Sequence, residues 1–577
     1  MSAICGIVSF SGAPVETGAL ESMTRVVTAS APISTVLSDD GAAGFLSSGA
    51  AAVRAVSPSF LLAADARIDN REDLASAYER WGRHWHHHLW GAFAAVVWDQ
   101  RARELLLLRD RTGERGLYWC RTAGGGVMFA SEPAQLVASG RVANEPNRLR
   151  ILTYLLDAPT APTWTYFEHV YRVPEGHQVR LTAERVETDC YWDWTSVTPE
   201  PWDPRTAAPE LARRLEEAVK RRLARQGETG VLLSGGLDSA SVAAQAASAL
   251  ERQGQRLHAF TWTSQSGDGI DETPLSRTFI RSRSNVVEHP LEADGLWPFS
   301  RYPEAYRDLS DPESNAYPDL LLATLEAAGQ QGVTILMNGI GGDPVAGRLA
   351  PELALLLRGR LGALRHRWRL TGLRHAGLLR ELRFLARRPQ WPAWLTPHAR
   401  RQALEAGLDR PQISWRTLAS PDRFRRAALA SRANAAALER FDRLNRRYGV
   451  RIEAPWHDPD LASLVLGLHD RALDAAPPAK RLLRTAMAED LPAPILQAAT
   501  DKSNKSGLRT RGLLGVAREP VERLLSNSRL EELGLVTGSR LLAAYREKAS
   551  RQQIESKLWE VLTTEAWLRA SAGLDRL

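Results

Sequence analysis

The first part of the chain is written in short apolar runs. CGIVSF (5–10), FLLAADARI (60–68), AFAAVVWD (92–99), ELLLLRD (104–110), GLYWC (116–120) and GVMFAS (126–131) are each of strand length. Glycine-rich or charged turns separate them, as at 122–126, so residues 1–195 are predicted to form an antiparallel, sheet-rich domain. Pro199, Pro201, Pro204 and Pro209 then crowd into one stretch and mark a domain break. Beyond it the period changes. A helical pattern at 210–226 leads into a short apolar strand, Gly230–Leu233, a glycine-rich turn and a second helical pattern at 240–253. LHAFTW (257–262) and VTILMNG (333–339) read as further strands. Strands alternating with helices predict a parallel α/β sheet within residues 205–577, and the chain after about 350 reads as mostly helix.

Composition narrows the class. With 577 residues, 44% hydrophobic and 24% charged, the chain has ordinary globular composition and length for two to four domains. No apolar run approaches the ~18 residues of a membrane span, and the first residues lack a signal-peptide pattern. Three cysteines, Cys5, Cys120 and Cys190, exclude a disulfide scaffold, no CxxC pair indicates zinc, and the expectation is a reducing, cytoplasmic location. The net charge of +7 is uneven: Arg358 to Arg401 holds twelve arginines and one acidic residue, Glu381. Such a segment, about 350–401, is either a solvated helical face or a surface for an anionic partner.

The chemistry concentrates in Ser234-Gly235-Gly236-Leu237-Asp238-Ser239, between a buried strand and a helix. A turn in that place aims backbone N–H groups at an anion, with the helix N-terminus behind them. It is not a Walker A loop, since no Gly-Lys-[Ser/Thr] is present, and Asp238 suits a hard cation. The same hexapeptide resembles the pyrophosphate loop of ATP pyrophosphatases, and within that group the chain resembles the asparagine synthetase family. Asn338-Gly339-Ile340-Gly341-Gly342-Asp343 is similar to the family's Ser-Gly-Glu-Gly-Ala-Asp turn, and Ala454-Pro455-Trp456-His457-Asp458 to its Val-Pro-Phe-Leu-Asp. In the first half, Asp65–Arg71, Gly91–Asp99 and Arg109–Tyr118 resemble its amidotransferase motifs.

The resemblance implies an α+β, αββα amidotransferase-like layer at 1–195, then an α/β ATP-pyrophosphatase synthetase domain at 205–577 with a large helical C-terminal region. It implies ATP and Mg2+ as cofactors, with the pyrophosphate on Ser234, Gly235, Gly236 and Ser239 and the metal on Asp238 and Asp343. Leu233, Trp262, Asn338 and Gly339 would line the AMP moiety, and Lys502, or failing it Lys505, would be the catalytic lysine.

Two departures refine this. Cys5 follows Met-Ser-Ala-Ile, so loss of Met1 alone would not give the N-terminal nucleophile of a working glutaminase, and the family's Arg-Gly-Pro-Asp has no counterpart near Ser38–Gly41. The first half is therefore read as a scaffold, with proteolytic exposure of Cys5 as the alternative. Ile340 stands where asparagine synthetases carry Glu and β-lactam synthetases Tyr, and it can neither transfer a proton nor pair a charge. These features, and the tail after Glu531, resemble the lasso peptide cyclases of the family. The resemblance implies adenylation of an Asp or Glu side chain in a precursor peptide, isopeptide closure by the peptide's own amine, and a leader peptidase and leader-binding protein as partners, without nucleic acid. A small-molecule amide or β-lactam synthetase is the alternative. Asp271, Glu272 and Glu453 are candidate bases, although surface or capping roles suit them better. His84-Trp85-His86-His87-His88 is read as a solvated helix end rather than a metal tract, and Cys120 and Cys190 as buried apolar positions. Trp368, Leu378 and Phe384 are expected to face a substrate cavity.

Overall fold

The structure is a computed structural model. It describes residues 2–573 except 27–31, 58–59, 71, 199–202, 204–205, 267–270, 316, 348–350, 372–375, 387–390, 410–412, 469–479, 499–509 and 552–555.

The first half contains strands β1 (Ser2–Val8), β2 (Ile33–Leu37), β3 (Ala43–Gly49), β4 (Ala52–Ser57), β5 (Phe60–Ile68) and β6 (Gly91–Asp99). It continues with β7 (Glu104–Arg109), β8 (Tyr118–Arg121), β9 (Val127–Ala130), β10 (Tyr171–Arg172), β11 (His177–Leu181) and β12 (Val186–Cys190). They form two antiparallel sheets, ordered β10-β8-β9-β1-β3-β2 and β12-β11-β7-β6-β5-β4. The side-chain period of two assigns each face. Ile4, Val8, Phe45 and Phe129 of the first sheet meet Leu61, Val96, Trp98, Leu105 and Leu107 of the second. The alternate residues point outward: Cys5, Leu46 and Met128 pack under Leu20, Met23 and Leu136, while Leu106 and Leu108 pack under Leu74, Ala77 and Trp85. The four consecutive leucines 105–108 follow from this, because β7 is buried on both faces. The αββα layering expected from the resemblance is thus present. The six strands anticipated from apolar runs all form; β2, β4 and β12, with few apolar residues or exposed positions, did not announce themselves.

The second half carries β13 (Glu228–Leu232), β14 (Leu257–Thr263), β15 (Val286–Glu292), β16 (Val333–Met337) and β17 (Arg451–Glu453), all parallel, in the order β15-β14-β13-β16-β17. From β13 the chain moves to β14 and β15 on one side and then returns to β16 on the other. This places a topological switch point between β13 and β16, where α/β sheets form a ligand crevice at the strands' C-terminal ends. The rest is predominantly helical, and among the described residues no helix is long and apolar enough to cross a membrane.

The helix Arg432–Tyr448 joins the halves through buried charge. Glu439 receives Arg109 at 3.0 Å, Arg172 at 2.8 Å and Arg432 at 2.8 Å. Asp442 binds Arg446 at 2.6 Å and the Gly116 N–H at 2.9 Å, and Arg446 reaches Glu132 at 3.0 Å. Glu453, weighed above as a base, is buried here beside Arg222 at 3.4 Å and Arg115 at 3.9 Å, so its charge is committed to this network.

The arginine-rich segment folds as helices Glu352–Leu357, Leu361–Thr371 and Ala376–Ala386. Two carboxylates tie them together. Glu381 accepts the N–H groups of Glu352 at 3.0 Å and Leu353 at 2.9 Å, while Glu352 accepts Trp368 Nε1 at 3.1 Å and the Leu378 N–H at 2.7 Å. Trp368 packs on Leu355 and Leu364, so it serves the cluster's own small core; the side chain of Phe384 lies outside the described residues. Leu356, Leu357, Leu361, Leu379 and Leu382 stay exposed.

Candidate active site

The turn after β13 is shaped by its own hydroxyls. The Ser234 and Ser239 hydroxyls lie 3.0 Å apart, Ser239 Oγ receives the Ser234 N–H at 3.2 Å, and it donates to the Gly236 carbonyl at 3.1 Å. Gly235 takes φ +68°, and a Cβ there would stand 2.6 Å from Leu275 Cβ. Helix Leu237–Glu251 then starts at Gly236 with no side-chain cap, which leaves its first turn suited to an external anion.

The turn after β16 lies directly against the first. A Cβ on Gly342 would come within 2.4 Å of Asp238 Cγ, so glycine is what permits the approach. Asn338 donates its N–H to the Glu453 carbonyl at 3.1 Å and accepts the Ile340 N–H on its side chain at 2.8 Å, which sets the turn on β17. Trp456 Nε1 donates to the Asp238 carbonyl at 3.2 Å, and Asp458 caps the next helix while binding Arg221 and Arg222, both at 2.9 Å. The three motifs read from the second half meet here: Asp238 and Asp343 converge at the switch point, with Trp456 against them. Lys502 and Lys505 lie outside the described residues.

Between the two carboxylates stands a residue the sequence reading missed. Lys480 Nζ lies 2.5 Å from Asp238 and 2.7 Å from Asp343, with its side chain largely buried. Local preference does not put it there. Lys480 sits in the left-handed region, φ 61° and ψ 34°, and begins helix Arg481–Ala486, where the dipole disfavours a cation. A lysine accepting both costs is held by what it touches, and a basic residue at a helix start was the available signal. The arrangement shows two acidic oxygens gathered around one positive charge, a donor set that also fits a hard divalent cation.

The remaining candidates divide. Leu233 is in the core and fixes the strand end, its N–H bonded to the Phe260 carbonyl at 2.8 Å and its carbonyl accepting Thr261 Oγ1 at 3.1 Å. Trp262 faces inward: it packs with Ala293 and Leu320, and its Nε1 donates to Thr324 Oγ1 at 3.0 Å, so the ring is seated in an apolar cluster. Gly339 packs against the Ser239 N–H, where a Cβ would stand at 2.6 Å. Asp271 accepts the Thr273 N–H at 3.1 Å and serves as a cap, while Glu272 is buried. Ile340 is exposed at the rim.

The first half has no nucleophile at Cys5. Its amide lies mid-strand in β1, paired across to Leu46 and Ala130, its side chain is fully buried, and burial pushes the thiol up to about 12. Cys120 is buried likewise, but Cys190 is exposed, contrary to expectation, because β12 is an edge strand whose residues all face solvent.

Residues 210–569 match the asparagine synthase family, and residues 65–192 match the glutamine amidotransferase domain. The chain belongs to the asparagine synthase family. Among curated relatives of this family member, Amidase chyE of Penicillium rubens is 30% identical over 290 residues, covering 47% of this chain and 42% of the relative. Amidase chry2 of Gibberella zeae is 30% identical over 293 residues with the same coverage. Asparagine synthetase [glutamine-hydrolyzing] 2 of Bacillus subtilis is 28% identical over 207 residues, 34% of this chain and 27% of the relative. The chain thus spans less than half the length of these relatives. A solved glutamine phosphoribosylpyrophosphate amidotransferase from B. subtilis matches at 12% identity and TM-score 0.22, over 50% of this chain and 81% of its own, too slight a likeness to argue from.

Proposed function

We propose that this protein is an ATP-dependent amide-bond-forming enzyme that closes an isopeptide ring in a peptide, as lasso peptide cyclases do. The meeting of Asp238, Lys480 and Asp343 beside the uncapped helix at the switch point carries this reading. A carboxylate oxygen of the substrate attacks the α-phosphorus of ATP, pyrophosphate leaves, and the peptide's N-terminal amine displaces AMP from the acyl carbon. The peptide loses one water. Ser234, Gly235, Gly236 and Ser239 would hold the departing pyrophosphate. Asp238 and Asp343 would hold Mg2+, which draws charge off that leaving group when bound. Lys480 brings positive charge to the same point, and Lys502 is the further cationic candidate for the tetrahedral intermediate.

A peptide as its own amine source is supported by the first half, where a buried mid-strand Cys5 provides no ammonia. A peptide rather than a small acid is favoured by the clamped three-helix cluster, with its arginines and exposed leucines, that follows the Asp343 turn. A leader peptidase and a leader-binding protein would supply and present the substrate.

The test is mass spectrometry of linear peptides with a free N-terminal amine and an internal Asp or Glu, incubated with enzyme, ATP and Mg2+. The reading expects AMP formation matched by a product lighter by one water. AMP formation with small carboxylic acids alone would transfer the activity to a small-molecule substrate. Glutamate release from glutamine that depends on Cys5 would overturn the scaffold reading of the first half.

A further inference from the structure

The histidine tract is only in part the solvated helix end expected from the sequence: His84 and His87 are exposed, but Trp85 and His86 are buried. Residues Gly82–His88 form a 3-10 helix on the outer face of the second sheet. With three residues per turn, positions three apart fall on one side. His84 and His87 accordingly lie with rings nearly parallel, 14° apart, at 6.3 Å. His86 turns inward and is 2% exposed, its ring 4.2 Å from that of His87 and 4.9 Å from Tyr191. One ring nitrogen from each of His84, His86 and His87 lies within 4.8 Å of the others.

The turn is anchored as a ligand-bearing turn must be. Trp85 is fully buried and donates Nε1 to Gln178 at 2.9 Å, and the Gln178 amide returns to the Arg83 carbonyl at 3.2 Å. This fixes the backbone on both sides of His84 and His86. Nδ1 of His86 is buried and makes no hydrogen bond among the described residues, an unsatisfied polar atom of the kind that folded proteins seldom leave without a reason.

We propose that His84, His86 and His87 form a site for a borderline divalent metal ion of the zinc class, with an outward position open to solvent. Neutral imidazole suits such ions, with nitrogen at about 2.0 Å from the metal. The two exposed rings close the remaining gap by side-chain rotation, since only His86 is fixed by packing. The bound ion would pin the turn that leads into β6. This proposal does not depend on the reaction assigned above.

Zn2+ titration of the full chain by calorimetry, with ATP and Mg2+ absent, decides it. The expected result is saturation at one equivalent, at least about ten-fold weaker binding in the exposed double variant His84→Ala/His87→Ala, and no change in the distant control His398→Ala. A thermal unfolding shift upward with Zn2+ should follow the same order. Absence of stoichiometric binding, or equal binding by the double variant, would overturn the site. Because His84 and His87 are exposed, loss of folding does not confound the variant, and its unliganded unfolding temperature checks this.

Discussion

At the residue scale, the site is an electrostatic arrangement rather than a string of motif letters. Asp238 and Asp343 would repel one another if left alone at this distance, and Lys480 removes that repulsion while keeping the acids close. Lys480→Met should therefore lower ATP-dependent AMP formation by about 10²–10³-fold, in the range seen when a charge-stabilising donor is removed. The secondary-structure signal in circular dichroism should stay unchanged. AMP formation within a few-fold of wild type would mean that Lys480 is only a space-filling counter-ion. Lys502→Ala and Lys505→Ala, measured beside it, assign the remaining cationic role. Cys5→Ala should leave turnover unchanged, since its thiol is buried and held protonated by desolvation.

At the scale of elements, two turns and one helix cap show how packing sets function. Gly342→Ala would force a Cβ into the Asp238 carboxylate and separate the turns. AMP formation should fall by more than about ten-fold, because catalytic geometry tolerates little displacement. An ATP-binding assay that also shows intact affinity for nucleotide would localise the fault to the acids. Glu565 illustrates a different pressure. From helix Ser556–Ser571 it accepts the N–H groups of Arg529 at 2.8 Å and Leu530 at 3.1 Å and contacts Ser528 Oγ, so it caps a neighbouring helix from within the core. Burial nevertheless pushes its carboxyl up to about 7. The folded state thus holds a proton that the unfolded chain releases near its ordinary value of 4.5. This stabilising contribution is full below that value and fades as pH rises towards about 7 and beyond. Urea unfolding of wild type and Glu565→Gln at pH 5 and pH 8 should show wild type losing stability relative to the variant at the higher pH. A pH-independent difference would refute the assignment.

At the scale of the whole molecule, the first half is a structural partner of the second. Glu439 is the hub: it lies inside the protein with Arg109, Arg172 and Arg432 around it, and these charges are worth keeping only together. Glu439→Ala leaves buried guanidinium groups without their counter-charge. It should cost about 3–5 kcal/mol of stability, the range for breaking a buried ion pair. Chemical denaturation reads this directly, and a loss below about 1 kcal/mol would assign the network to the weak class of exposed pairs. The same network ties the first half to the second through buried charge, independently of any chemistry the first half carries. On the helix Arg432–Tyr448, Glu439, Asp442 and Arg446 each reach a partner in the first half, whereas Arg440 and Arg443 pair with Glu313, Asp308 and Asp311 of the second.

Apolar period and turn chemistry were enough, without tertiary information, to place a sheet-rich first half and the strand and turn of the glycine loop, because each is a local pattern within a few residues, whereas the αββα layering and the pairing of Asp238 with Asp343 were expectations from the family resemblance. The edge strands β2 and β12 and the short β17 escaped, since their pairing comes from neighbours in space and their side chains carry little apolar signal. Lys480 escaped for the same reason, as a cation placed against its helix dipole by two acids that lie 242 and 137 positions away in sequence. Trp262 was assigned to the nucleotide from motif position, but its indole N–H found Thr324 and its ring an apolar pocket. Composition made His86 a surface residue, whereas a 3-10 turn and the anchoring of Trp85 on Gln178 placed it inside. Sequence determines which residues can do chemistry; long-range packing and paired charge decide which of them meet.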